Sequence, residues 1–358
     1  MTFSRLLLTA GLASALLAAG CDDDEGSGAS ACRSAADLEA VLSDIRRMAV
    51  TRASEAEAAA FELGPALAEA RGGQRIALQA AVDRLQSAFA AFEPLAGGPD
   101  GSLQTVAEAN PFPLDEAAVN AYLTGPEGGG DFPEGPAAFD RGLPALDYVA
   151  FATDAVDADA LADPDLDTLV ARLQGQLVAA AAAWRAADDW AGDDGTAAGS
   201  SLSVYVNALS KHFEDLRRDR LATPAGVTTL GFPNPQTVQA PHASASLELL
   251  RGGITASRNF FLGSGPTGTG LDAYLRGLDS PDAASLADDI VEQYAASSAA
   301  VAAIDEPLEA SVADDGGDEE DVQAAYAALS LQVVNLKTDL PSVACIAITY
   351  VDNPSDSD

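Results

Sequence analysis

The sequence predicts an all-α protein of two helical bundles, and three observations carry the prediction. Apolar residues recur at three- and four-residue spacing along most of the chain, which is the period of one helix face rather than of a strand. Alanine is abundant and aromatic residues make up only 6% of the chain, a composition that favours helices over sheets. Turns containing glycine or proline, such as Gly72-Gly73, "AGDDGT" at 191–196 and Ser280-Pro281, separate the apolar stripes and mark their ends.

The first stripe is Leu38, Val41, Leu42, Ile45 and Met48, and a turn at Gly72-Gly73 precedes the second, Leu78, Val82, Leu85, Phe89 and Phe92. A third runs Leu166, Leu169, Val170, Leu173, Leu177 and Trp184, and "AGDDGT" at 191–196 ends it. Leu202, Tyr205, Val206, Leu209, Phe213 and Leu216 form the next face, which stops before Pro224. Leu247, Leu250, Ile254 and Phe261 follow and end near Gly263. Ser280-Pro281 has the chemistry of a helix start, with Leu286, Ile290, Tyr294 and Val301 behind it at helical spacing. The last stripe, Val322, Tyr326, Leu329, Val333 and Leu336, is preceded by acids at the end where the helix dipole favours them. Only "VACIAITY", Val343 to Tyr350, has the composition of a strand.

These stripes give two bundles of about four helices each, with an N-terminal unit at 33–192 and a C-terminal unit at 193–347. Two long loops, 95–141 and 222–240, interrupt the pattern, and loops of this length are functional or disordered. Residues 1–20 read as a signal peptide, because the apolar run after Arg5 is too short to span a bilayer. Small residues directly before Cys21 suit a lipobox, in which Cys21 is acylated; ordinary secretory cleavage nearby is the other reading. The acidic stretch 21–32 is expected to be a flexible tether and the acidic end, 348–358, a disordered tail. The expected location is therefore the bacterial cell envelope, lipid-anchored, on a periplasmic or outer-membrane face.

With 19 basic and 55 acidic residues the formal charge is −36. Such a chain repels phosphate backbones, so nucleic acid is not an expected partner; the lipid anchor makes the membrane one. Cys32 and Cys345 lie near opposite ends of the folded part, and an oxidising compartment allows a disulfide between them; two free thiols are the alternative.

Catalytic signatures are sparse. His212 and His242 are the chain's two histidines, in different segments, and both are expected at polar surfaces. No H-E-x-x-H, G-x-S-x-G, C-x-x-C or phosphate-binding glycine loop occurs. The acidic run "DDGGDEED" at 314–321 lacks the ligand spacing of an EF-hand. "HFEDLRRDRLATPAG" gathers His212, Glu214, Arg217, Arg218 and Arg220, either as pairs one helical turn apart or as a buried network between the bundles.

Four features together resemble the imelysin-like, or M75 peptidase-like, proteins of bacterial envelopes. They are the lipoprotein signal, "RGLPALDYVAF" at 141–151, the pair "HFEDLRRDRLATPAG" and "PNPQTVQAPHASASLELLRGGITASRNFFLG", and "LKTDLPSVACIAITYVDN". The resemblance implies two bundles related by approximate duplication, a site between them, and a link to iron or haem uptake or to peptidase activity. It also implies a G-x-H-x-x-E motif, discussed as a metal site. Here Gly142 matches the glycine, but Pro144 stands in the histidine's place and Asp147 in the glutamate's, a GLPAxxY variant. Gln239 and His242 stand where relatives often have glutamate and tyrosine.

The expected site between the bundles comprises Arg141, Gly142, Pro144, Asp147, Tyr148, Glu214, Arg217, Gln239 and His242. Leu146, Tyr148 and Phe151 would wedge between the bundles while Arg141 and Asp147 face the cleft. Three functions compete. One is a non-catalytic envelope lipoprotein that binds a ligand or metal, iron or another divalent ion, alongside iron-uptake proteins, with Asp147 as the surviving metal ligand. Another is a metallopeptidase built on Asp147, Glu214 and His242. The third is an interaction module presenting Arg141, Tyr148, Trp190 and Arg217.

Overall fold

The computed structural model describes residues 36–101, 109–111, 113–123, 141–193, 195–227, 231–264, 269–305, 307–313 and 319–348. Among them the regular structure is helical, with no strand. The helices are α1 Leu38–Arg71, α2 Arg75–Phe92, α3 Glu116–Leu123, α4 Gly142–Phe151, α5 Ala158–Leu161, α6 Asp165–Ala186 and α7 Ser201–Arg217. After them come α8 Ser246–Leu262, α9 Leu271–Arg276, α10 Pro281–Ala303, α11 Leu308–Ser311, α12 Glu319–Val334 and α13 Leu340–Ala344.

Local chemistry sets the ends. Asp37 caps α1 by accepting the Ala40 N–H at 3.2 Å, and Gly73, at φ 93°, takes the left-handed turn into α2. Ser200 caps α7 through the Ser203 N–H. Gly263, at φ 85°, ends α8, and Pro281 opens α10 at the position where a missing N–H costs nothing.

The long helices pack in two sets. In the first, α1 lies against α2 and α6; in the second, α8 and α12 pack on α10, and α7 packs on α8 and α12. The sets meet where α8 crosses α2, and one continuous apolar core runs through both. Among the described residues the first set has three long helices. Its remaining member, α4, is a ten-residue helix buried on nearly all sides against α2.

Several expectations change here. "VACIAITY" is not a strand over its described part: Val343 and Ala344 end α13, Cys345 turns left-handed at φ 53°, and the Ala347 N–H donates to Thr196 at 2.8 Å. A strand needs a partner strand, and none lies beside this segment among the described residues. His212 is not a surface residue but lies in the core, on the inner face of α7. The loop 95–141 contains α3, and the loop 222–240 contains a short 3-10 turn at Pro235–Thr237. Cys345 is disulfide-bonded, and Cys21 and Cys32 lie outside the described residues, as do the signal segment, the tether and residues 349–358 of the tail.

Candidate functional site

The segment Arg141–Phe151 enters its helix through a glycine that no other residue can replace easily. Gly142 has φ +72°, and a Cβ there would stand 2.5 Å from the Ala109 carbonyl oxygen and 2.8 Å from Pro111. Both the left-handed backbone and the close passage of residues 109–111 require glycine. Pro144 falls in the first turn of α4, where its lack of an N–H leaves no bond unmade.

Asp147 is fully buried on α4. One carboxylate oxygen accepts the His242 N–H at 3.0 Å; the other accepts the Ala243 N–H at 3.2 Å and the Gln86 side-chain amide of α2 at 3.3 Å. The turn carrying those two amides is itself unusual, with Ala240 at φ 51° and Ser244 at φ 54°, conformations that cost a residue with a Cβ about 1 kcal/mol or more each. The carboxylate therefore holds a strained turn of the second half against α2 and α4 of the first. Burial pushes its pKa up to about 6, and the three N–H donors hold it from rising further.

A second string of contacts runs beside it. Tyr148, also buried, exchanges hydrogen bonds with the Asn120 amide of α3 at 2.7 and 3.0 Å. The His242 ring meets Tyr148 edge-on at 5.0 Å, and its Nε2 lies 3.0 Å from Glu116 of α3. Gln239 is buried in the same turn; its backbone carbonyl accepts the Ser246 hydroxyl, while its Oε1 has no partner among the described residues.

A third group joins the halves through charge. Arg220, carried inward by the wide π turn Arg218–Ala222 that extends α7, pairs with buried Glu93 just beyond α2. Asn110 donates to the same Glu93 oxygen at 3.2 Å. His212 lies nearby with Nε2 3.3 Å from the Gly253 carbonyl, and burial pushes its pKa down to about 4.

The arrangement brings Asp147, Tyr148, Gln239 and His242 together with α2 and α3, as a junction rather than an open site. Glu214 and Arg217 belong elsewhere. Glu214 pairs with Lys337 at 2.9 Å and with Arg217 at 3.9 Å, and the Arg217 guanidinium lies 5.8 Å from the Tyr326 ring. Arg141 and Asp147 do not face a cleft: both are buried with the rest of α4, because a short helix seated between two bundles has no side left for solvent. Trp190 is buried too, edge-on to Trp184 and bonded to the Pro99 carbonyl, so Arg141, Tyr148 and Trp190 form no exposed recognition surface.

A metal centre built on this motif does not fit the donor set. Pro144 has no ligand atom, the Asp147 oxygens face N–H groups whose positive ends would oppose a cation, and no cluster of three or more His, Cys, Asp or Glu suited to a metal occurs among the described residues. The metal role expected of Asp147 is replaced by that of an internal anchor, and Glu214 and His242 do not complete a ligand set around it.

Of the residues that build the junction, Gln86, Glu93, Asn110, Glu116 and Asn120 were not singled out from sequence. Gln86 carried a signal: it sits on the apolar stripe of α2, four residues after Val82 and three before Phe89, where a polar side chain needs a buried partner.

Comparison with known proteins follows the same lines. A family model described as Imelysin, Peptidase M75, matches residues 51–336. A crystal structure described as an iron-regulated protein A precursor from Parabacteroides distasonis superposes with a TM-score of 0.70 at 15% identity, covering 86% of this chain and 94% of that one. An imelysin-like protein from Psychrobacter arcticum superposes with a TM-score of 0.68 at 19% identity, covering 87% and 97%. No curated protein matches the chain.

Proposed function

Because the chain belongs to the imelysin family, we propose that it is a non-catalytic cell-envelope member in which the motif segment serves as a lock between the two helical sets. The observation that carries this reading is the environment of Asp147: a fully buried carboxylate whose oxygens accept three N–H groups, beside a proline where the family motif places histidine. Hydrolysis by a metallopeptidase requires a metal with about three ligands and an open position for water. The Asp147 junction supplies neither. Lipid attachment at Cys21, with the membrane as partner, completes the reading.

A role in iron or haem acquisition, beside envelope proteins of iron uptake, is the biological setting we assign. It is supported by the fold shared with a protein described as iron-regulated, together with the signal-like N-terminal segment. Three measurements test the two parts of the proposal separately. Titration calorimetry with ferrous iron, zinc and haem should show no bare-ion binding that depends on Asp147, and denatured protein substrates should not be cleaved in a chelator-sensitive manner. Chelator-sensitive cleavage that disappears in Asp147→Asn would overturn the non-catalytic reading. Transcript levels that do not rise under iron starvation, with haem showing no binding, would remove the iron assignment alone.

A further inference from the structure

Away from that junction, three arginines share one groove in a chain that has only 19 basic residues against 55 acidic ones. The groove, about 710 Å³, runs along α1 and is lined by Ser43, Arg46, Arg47 and Thr51 from that helix, by Arg185 at the end of α6, and by Thr269. From this geometry we infer that the groove is a binding site for a small polyvalent oxyanion, a compound bearing two or more carboxylate or phosphate groups.

The argument rests on unused donors. A guanidinium offers five N–H groups from three nitrogens, arranged to grip an oxyanion with two parallel bonds. Among the described residues each of the three arginines makes its contacts through Nη2. Arg46 reaches the Arg185 carbonyl at 2.9 Å and Asp188 at 2.6 Å; Arg47 reaches Asp44 and, at 2.6 Å, Ser264; Arg185 reaches Glu57 and, at 3.0 Å, Ser54. The Nε of Arg46 is buried with no bond partner among the described residues.

Asp188 and Asp44 do not close the groove to an anion, and Glu57, which pairs with Arg185, is not among the residues that line it. Asp188 is 84% exposed, and a surface pair of that kind contributes little, so it yields to a better partner. Asp44 is satisfied without Arg47, because it accepts both the N–H of Ser264 at 2.7 Å and its hydroxyl at 2.6 Å. Beside the groove, a second hollow lined by Glu39, Asp188 and Asp189 shares Arg46 and is acidic. An anion is therefore directed to the Arg47, Thr51 and Arg185 side. With a net charge of −36 the molecule as a whole repels anions, so recognition depends on short-range bidentate contacts.

This inference is independent of the proposed function, and either can fail alone. Calorimetry on the purified chain with citrate and with pyrophosphate, against acetate as a single-carboxylate control, tests it at about 150 mM ionic strength, where a Debye length of ~8 Å screens the repulsion from the rest of the molecule. Saturable binding of citrate or pyrophosphate is expected, at least tenfold weaker in Arg47→Gln/Arg185→Gln and tighter in Asp188→Asn, which frees Arg46. Citrate alone would identify carboxylate chemistry, pyrophosphate alone phosphate chemistry. Should the double glutamine variant fail to fold, Arg47→Lys/Arg185→Lys, which keeps charge but loses the planar fork, must show the same weakening. Saturable binding of neither compound, or binding that survives these double variants, overturns the inference.

Discussion

Replacing Asp147 by alanine is the most informative single perturbation of the junction. It removes a carboxylate that accepts three buried donors: the backbone N–H groups of His242 and Ala243 and the Gln86 amide. Leaving a buried donor unmatched costs about 1–3 kcal/mol, and the strained turn can relax partly, so about 1 kcal/mol for each donor gives a loss of about 3 kcal/mol at pH 8. The pH dependence then distinguishes an anchor held by burial from a conventional surface acid. The pKa of Asp147 is raised from 3.8 to about 6, so between those values the folded protein binds a proton that the unfolded chain does not. Its contribution to stability is fully present below the unfolded value and declines as pH rises through about 6. Between pH 5 and pH 8 the wild type should lose about 1.4 kcal/mol through this group, while the alanine variant loses nothing through it. The difference between the two proteins should therefore fall from about 4.4 kcal/mol at pH 5 to about 3 kcal/mol at pH 8. Urea denaturation at a series of pH values measures this. A difference below 0.5 kcal/mol throughout (about a surface substitution), or one that grows with pH, would refute the reasoning.

Three further outcomes are expected. Arg220→Met leaves the Glu93 carboxylate buried without its partner and should cost about 3–5 kcal/mol, whereas Glu93→Met/Arg220→Met should recover most of that loss in the same denaturation assay. Gly142→Ala forces a Cβ into the left-handed region and against Ala109, and should lower stability by at least about 2 kcal/mol, readable as a fall in melting temperature. His212 has its pKa lowered from 6.5 to about 4, so the unfolded chain takes up the proton first as pH falls. Wild type should accordingly lose about 3 kcal/mol relative to His212→Gln between pH 7 and pH 4, and parallel curves for the two proteins would show that the imidazole is not held neutral.

Much of the helical framework was legible from sequence because each stripe is a local property. Leu78, Val82, Leu85 and Phe89 share one side of any helix that contains them, and the glycines and prolines at Gly72-Gly73, Gly263 and Pro281 act on their own backbones. "VACIAITY" misled because β-branched and aromatic composition reports suitability for a sheet, and a strand forms only where a neighbouring edge receives it. In the cluster around Arg217 both expected arrangements occur, divided by position. Glu214, Asp215, Arg217 and Arg218 pair within one turn or, through Glu214, with Lys337 just after α12, while Arg220 crosses to Glu93.

What the sequence by itself determined is therefore the helical character and the placement of the long helices, since each depends on residue type and near neighbours; the family resemblance added that Pro144 stands where the motif has a ligand. It could not decide whether Asp147 looks into a cleft or into protein. That required knowing that Gln86, sixty-one positions away, and the amides of His242 and Ala243, about ninety-five positions away, converge on one carboxylate. The physical reason is that an acid's role is set by what surrounds it: water and open ligand positions make it a metal or proton site, and buried N–H donors make it an anchor. Only the tertiary structure brings those donors together.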